Sequence, residues 1–228
     1  MKTAKQKTKK ILGHVGLGVL GLLILLVVLL NSSFLQTKLA NYFLKQQAKA
    51  MGITVSVRSV DVGLLSRNVR LTGFEVYDHH KNLLVDIGSM RTSIRNFSAS
   101  SLRFGVTNIS DITFRLHHYQ GDSLNNLQQI IDFFKATPSP DKPEFTLGFT
   151  SCFLHNGDFS YINEYRSQGD TFQFMDFGNI SLSKINFAMK NVDVVGDNVL
   201  ATIDKFSFKE KKGLDVLKFS TRLNLSGT

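Results

Sequence analysis

From Ile53 onward the chain alternates: Ile53, Val55 and Val57 are apolar, while Thr54, Ser56 and Arg58 are polar. Successive side chains of an extended strand point to opposite faces, so a period of two predicts a strand with one buried face. The same reading predicts strands at Val69–Tyr77, Leu83–Ile94 and Ile109–Tyr119, then at Phe145–Phe153, Asp158–Ile162, Thr171–Phe177, Asn179–Val195, Val199–Phe208 and Leu214–Leu225. Turn signals stand between the first strands at Gly63, Gly73, Asp78 to Asn82, and Gly105. The last strand is the most regular. Leu217, Phe219, Leu223 and Leu225 alternate with Lys218, Ser220, Arg222 and Asn224, and only Thr221 interrupts the apolar row.

Three segments break this period. Ile11 to Leu30 is an apolar run of 20 residues with His14 as its one polar side chain. At ~1.5 Å per residue such a helix covers the ~30 Å hydrocarbon thickness of a bilayer. The lysines at 2, 5, 7, 9 and 10 precede it, so the positive-inside bias places the amino terminus in the cytoplasm and the bulk across the membrane. The run is longer than a usual signal-peptide core, and Leu29 to Ser33 lacks a small-x-small cleavage site, which favours an uncleaved anchor. Next, residues 32–51 predict an amphipathic exit helix, capped by Ser32 or Ser33, with Phe34, Leu35, Leu39, Tyr42 and Phe43 on one side and Gly52 as its stop. It can lie on the leaflet surface, plug the end of the sheet or pack on it. Last, Leu124 to Phe134 predicts an inserted helix capped by Asp122 or Ser123.

All three prolines, Pro138, Pro140 and Pro143, follow that helix. They predict a linker at 136–144 between a first β lobe (53–135) and a second (145–228), after the basic tail (1–10), the anchor (11–30) and the exit helix (32–51). The expected class is mainly β: a long twisted antiparallel sheet with a helix inserted between two lobes.

Charge and composition narrow the function. The net charge of +9 reflects 27 cationic against 18 acidic side chains, and without the five tail lysines the counts are 22 against 18. The remaining cations are dispersed singly, which argues against nucleic acid as a partner. Cys152 is the only cysteine, so no intrachain disulfide forms. Nineteen phenylalanines and no tryptophan, spread along the chain, point to a long apolar surface rather than one compact site. The N-x-S triplets at Asn31, Asn96, Asn108, Asn179 and Asn224 are glycosylation candidates only in a eukaryotic secretory pathway.

Candidate chemistry is sparse. No Gly-rich phosphate loop, nucleophile elbow or zinc-helix motif is present. His79-His80 and His117-His118 are adjacent pairs; neighbours on a strand face opposite ways, and the first pair lies in the turn-like run Asp78 to Asn82, so both pairs read as surface or turn histidines rather than metal ligands. The carboxylates of Asp158 and Glu164, near Gly157 and Asn163, read as hairpin-loop residues. Cys152 reads as a buried inert thiol. No catalytic, cofactor-binding or metal residue is assigned, and no cofactor is expected.

The order of these features resembles the TamB and AsmA-like family of anchored periplasmic proteins, related in architecture to bridge-like lipid transfer proteins. The resemblance rests on the basic tail and anchor, the helix Ser33 to Met51, the stretches Ile53–Val60 and Leu71–Asp78, and the runs Asn156–Tyr161 and Met175–Leu182. It implies a bacterial inner-membrane protein with its bulk in the periplasm. There the sheet would form an open trough that shields phospholipid acyl chains on their way to the outer membrane. Candidate lipid-facing residues are Ile185, Phe187, Phe206, Phe208, Leu217, Phe219, Leu223 and Leu225.

The resemblance further implies an outer-membrane barrel partner, met through a carboxy-terminal region with no counterpart in these residues. An expected strand running close to Thr228 leaves an open edge, from which the chain is expected to be the front of a longer protein. Two alternatives stand beside the conduit. The same alternation arises in a closed sandwich whose apolar face is core, and exposed strand edges can serve an adapter for outer-membrane or secreted β-proteins. An anchored enzyme ranks last, for want of a site.

Overall fold

The computed structural model describes residues 31–63, 66–98, 100–128, 146–166, 176–195 and 198–225. The apolar run at 11–30 and the linker at 136–144 lie outside the described residues, as does the inserted helix beyond its first turn at 126–128. Among the described residues no helix is long and apolar enough to cross a membrane.

One helix, α1 (Ser33–Ala50), precedes eight strands: β1 (Thr54–Val62), β2 (Asn68–Tyr77), β3 (Leu83–Ser98), β4 (Ser101–His118), β5 (Thr146–Asn163), β6 (Asn179–Val195), β7 (Asn198–Glu210) and β8 (Asp215–Leu225). They form one sheet in sequence order. β3 to β6 are 16 to 18 residues long, on the order of 55 Å at ~3.3 Å per residue. The sheet is mixed rather than antiparallel throughout. β4 and β5 pair in parallel from Ser101↔Thr146 to His118↔Asn163, so the end of β4 and the start of β5 lie at opposite ends of the strand pair. Both strand-rich regions therefore belong to one hydrogen-bonded sheet. Among the described residues no second sheet packs on the first: substantial packing joins only neighbouring strands, plus α1 to β1.

Several expected turns are instead irregularities inside long strands. Gly73 lies within β2 and Gly105 within β4, and the two short strands expected at 145–162 are the single strand β5. Asp176 to Gly178 form a turn rather than the end of a strand, because the Asp176 carboxylate accepts the Gly178 amide at 2.8 Å. The irregularities line up across the sheet. Gly73 stands opposite Arg58 and Gly88, Gly88 opposite Asp111, and Asp111 opposite Asn156. Gly73, Asp111, Asn156 and, one strand further, Lys184 all have positive φ, between 52° and 59°. A β-carbon on Gly73 would lie 2.9 Å from that of Arg58, and one on Gly88 2.9 Å from that of Asp111. This transverse seam shifts the alternation by one residue in each strand, which is why Val57 is followed by Val60 and Leu71 by Phe74.

α1 seals the outer edge of β1. Asn41 donates to the Val57 carbonyl (2.7 Å) and accepts its amide (3.0 Å). Gln36 does the same at Val62, at 2.9 and 2.6 Å. Thr37 Oγ1 accepts the Val60 amide at 2.9 Å and lies 3.3 Å from its carbonyl. The spacing 57, 60, 62 follows the seam. These polar side chains therefore take the sheet side of the helix with Leu44 and Ala48. The expected apolar face turns outward, leaving Phe34, Leu39, Tyr42 and Phe43 exposed. The core sits beneath the last turns of α1, where Ala48, Val55, Val76 and Leu84 pack with Leu44, Ile53, Phe74, Val85 and Phe114.

Candidate functional site: a continuous apolar sheet face

Side chains paired across neighbouring strands share a face, so the register can be read as rows running across the sheet. One row comprises Val60, Leu71, Met90, Ile109, Leu154, Phe187, Phe206 and Phe219, one residue from each strand and all apolar. Another, beyond the seam, runs Val55, Val76, Val85, Phe114, Phe159 and Leu182, and ends at the buried Glu210. A third joins Leu102, Leu147, Val194, Val199 and Leu225. Rows on the two sides of the seam lie on the same face. A β-carbon on Gly157 would meet Leu154 Cδ2 at 2.9 Å, Ile112 Cγ2 at 3.1 Å and Ile185 Cβ at 3.3 Å.

Polar atoms on this face are satisfied or silent. Thr92 and Thr107 hydrogen-bond each other at 2.6 Å while buried. Burial pushes the Cys152 thiol up to about 11, so it stays protonated and unreactive at neutral pH. The opposite face is mostly polar. Its rows include Ser56, Glu75, Asp86, Thr113 and Asp158, with ion pairs Arg103–Asp193 (2.9 Å) and Lys209–Asp215 (2.8 Å). Phe153 is a large apolar exception there, opposite Asn108.

Seven of the eight sequence-predicted site residues fall on the apolar face. Phe187, Phe206 and Phe219 are consecutive in one row, and Phe208 sits 5.3 Å from Phe206, ring to ring. Ile185 is buried beside Gly157, while Leu223 and Leu225 stand opposite Ala201 and Val199. Leu217 does not join them. β8 carries an extra residue between Val216 and Phe219, so Val216 pairs with Phe208, and Leu217 is 77 % exposed. Sequence reasoning left out Val60, Leu71, Met90, Ile109 and Leu154; their signal is the apolar phase that resumes one residue late after each irregular position.

A second constellation gathers at one end of the sheet. His79 Nε2 lies 2.7 Å and His80 Nε2 3.2 Å from Asp122 Oδ2, and the three ligand atoms all lie within 4.8 Å of one another. Both histidines sit in the β2–β3 turn that the Asp78 to Asn82 signal predicts, where adjacent side chains need not diverge as they do on a strand. That turn is built on Asp78, whose Oδ1 accepts the amides of His80 (3.0 Å) and Asn82 (2.9 Å). Its Oδ2 accepts Tyr119 Oη (2.7 Å) and Asn126 Nδ2 (3.0 Å). Burial alone would raise the Asp78 carboxyl, but the bonds from Asn126, Tyr119 and Asn82, with the nearby His79, hold it below its ordinary range. Tyr119, buried beside that carboxylate, is pushed up to about 12. Asp122 is held low as well: its slight burial raises it, and His79 and His80 outweigh that. Nearby, His117 pairs with Glu164 at 2.9 Å, and the Gln120 amide, then His117, lower that carboxyl.

No protein-family model matches this chain, and neither does any curated protein.

Proposed function

We propose that this chain is an inner-membrane-anchored periplasmic protein of the bacterial envelope, whose sheet curls into an open trough and carries phospholipid acyl chains along its apolar face. The observation that carries this reading is the face itself: apolar rows run unbroken across the strands, largely half-exposed, with no second layer of described residues over them except α1 at the β1 corner. An acyl chain loses ~0.8 kcal/mol per CH₂ when hydrated, on the order of ten for a whole chain, so transit through water requires shielding. Valine, leucine and phenylalanine shield without directional bonds, which lets a chain slide. A line of irregular positions at one level of the sheet, four of them with positive φ, supports curvature toward one face.

α1 fits the membrane-proximal end. Phe34, Tyr42 and Phe43 are exposed on it among Lys38, Lys45 and Lys49, the mixture that suits a bilayer interface. The resemblance to TamB and AsmA-like proteins agrees with this assignment, and no catalytic role is included in it. A second reading, an adapter that pairs with substrate β-chains, draws on the contrast between the sealed edge of β1 and the outer edge of β8, where no described residue pairs.

In-cell photocrosslinking separates them. Photoreactive residues at Phe187, Phe219 and Leu223 on the apolar face are expected to capture phosphate-labelled lipid, and those at Lys190 and Asn224 on the polar face are not. Lipid at neither set, with protein adducts at Asn224, would favour the adapter.

A further inference from the structure

We propose that His79, His80 and Asp122 bind one divalent transition-metal ion, best suited to Zn²⁺, which clasps the β2–β3 turn to the chain leaving β4. The inference is independent of lipid transfer. Two imidazole nitrogens and a carboxylate oxygen converge from segments more than forty residues apart in sequence, with both nitrogens on the same Asp122 oxygen at 2.7 and 3.2 Å. In a tetrahedral zinc site with bonds of ~2.0–2.1 Å, ligand atoms stand about 3.3 Å apart. The set is thus near ligating spacing, and a small outward shift of His79 admits the ion. Two nitrogen donors and one carboxylate favour zinc over calcium or magnesium, which prefer all-oxygen shells.

The surroundings hold the ligands in place. The buried Asp78 carboxylate fixes the turn that bears both histidines through the His80 and Asn82 amides. Tyr119, anchored on that same carboxylate, packs its ring 4.1 Å from His80 and edge-on to His79 at 5.9 Å. His118 Nε2 bonds the Asp122 carbonyl at 3.0 Å, steadying the third ligand from behind. Such outer contacts set ligand orientation and affinity in metal sites. His80 is exposed, so water has access to the remaining coordination position.

The test uses tag-free full-length chain in nanodiscs, stripped with chelator and titrated with Zn²⁺ by calorimetry and with Co²⁺ by visible absorption. One equivalent is expected, with a Co²⁺ spectrum of tetrahedral type. Asp122→Asn and His79→Ala are expected to weaken binding at least about tenfold, as losing a ligand does. His155→Ala, at an exposed imidazole on β5 opposite Ser110 and away from the cluster, is expected to bind as the parent does. Zn²⁺ is expected to raise the unfolding midpoint of the parent and of His155→Ala only. Circular dichroism of each variant separates lost binding from lost folding, and His79→Asn supplies a milder substitution should His79→Ala misfold. Absence of stoichiometric binding, or equal binding by parent, Asp122→Asn and both His79 variants, would overturn the site and assign any uptake to scattered surface histidines.

Discussion

The two outer strands of the sheet are treated differently. β1 is covered: α1 supplies Gln36, Thr37 and Asn41 as partners for its outward amides and carbonyls, and Val55 and Val57 are buried beneath. β8 is bare, with most of its residues exposed and no described element along its outer side. The contrast teaches that a helix can end a sheet without a strand's geometry. A primary-amide side chain presents an N–H donor beside a C=O acceptor, as a peptide group does, so Asn41 and Gln36 each satisfy one β1 residue as a neighbouring strand would. An edge finished in this way cannot template pairing, whereas an unfinished one can.

The sharpest way to break the contrast is to attack the packing beneath the sealed edge. Leu84→Ala, at a side chain only 1 % exposed, is expected to cost about 2–5 kcal/mol in urea unfolding, and Leu217→Ala on β8 to stay within about 0.5 kcal/mol. If both cost the same, the two edges are energetically alike. A smaller effect is expected from the seal itself. Asn41→Ala strands the amide and carbonyl of the buried Val57, at about 1–3 kcal/mol. Hydrogen exchange at Val57 should accelerate toward the rates in β8, and unchanged protection would mean that the bonds do not seal the edge.

The smallest effect comes from acid. Asp78, Asp122 and Glu164 have carboxyls held below their ordinary range in the folded chain, so each contributes stability that is complete above that range and lost as pH falls through its folded value. Stability is therefore expected to decline on acidification below about pH 4, where unfolded carboxyls begin to protonate. Asp78→Asn should flatten that decline while leaving the β8 side untouched; an unaltered acid limb would remove Asp78 from the account.

Much of the sheet was legible because alternation is local. The strands at 69–77, 179–195 and 199–208 follow directly from side-chain pattern. What escaped depended on distant partners. Gly73 and Gly105 read as turns because a glycine's freedom serves a turn or a bulge equally, and only the pairing of β2 with β3 and of β3 with β4 decides which. The parallel pairing of β4 with β5 escaped because strand direction is set by the route of the connection, not by the strand's composition. Leu217 belonged to the most regular alternation in the chain, yet one extra residue in β8 reassigns its place to Val216. His79 and His80 were legible as turn residues, but Asp122, which brings them together, lies far off in sequence.

The parallel joint between β4 and β5 has a consequence for growth. Four strands take the chain across the sheet and back twice, and the joint then resets it, so β5 sets out in the same direction as β4 rather than reversing. Across this joint as across the antiparallel ones the sheet advances sideways at ~4.8 Å per strand, and the row from Val60 to Phe219 gains one residue with each strand. Distance along the greasy surface is counted in strands, not in strand length, so reach is an extensive property that insertion or deletion of whole strands would tune in fixed steps.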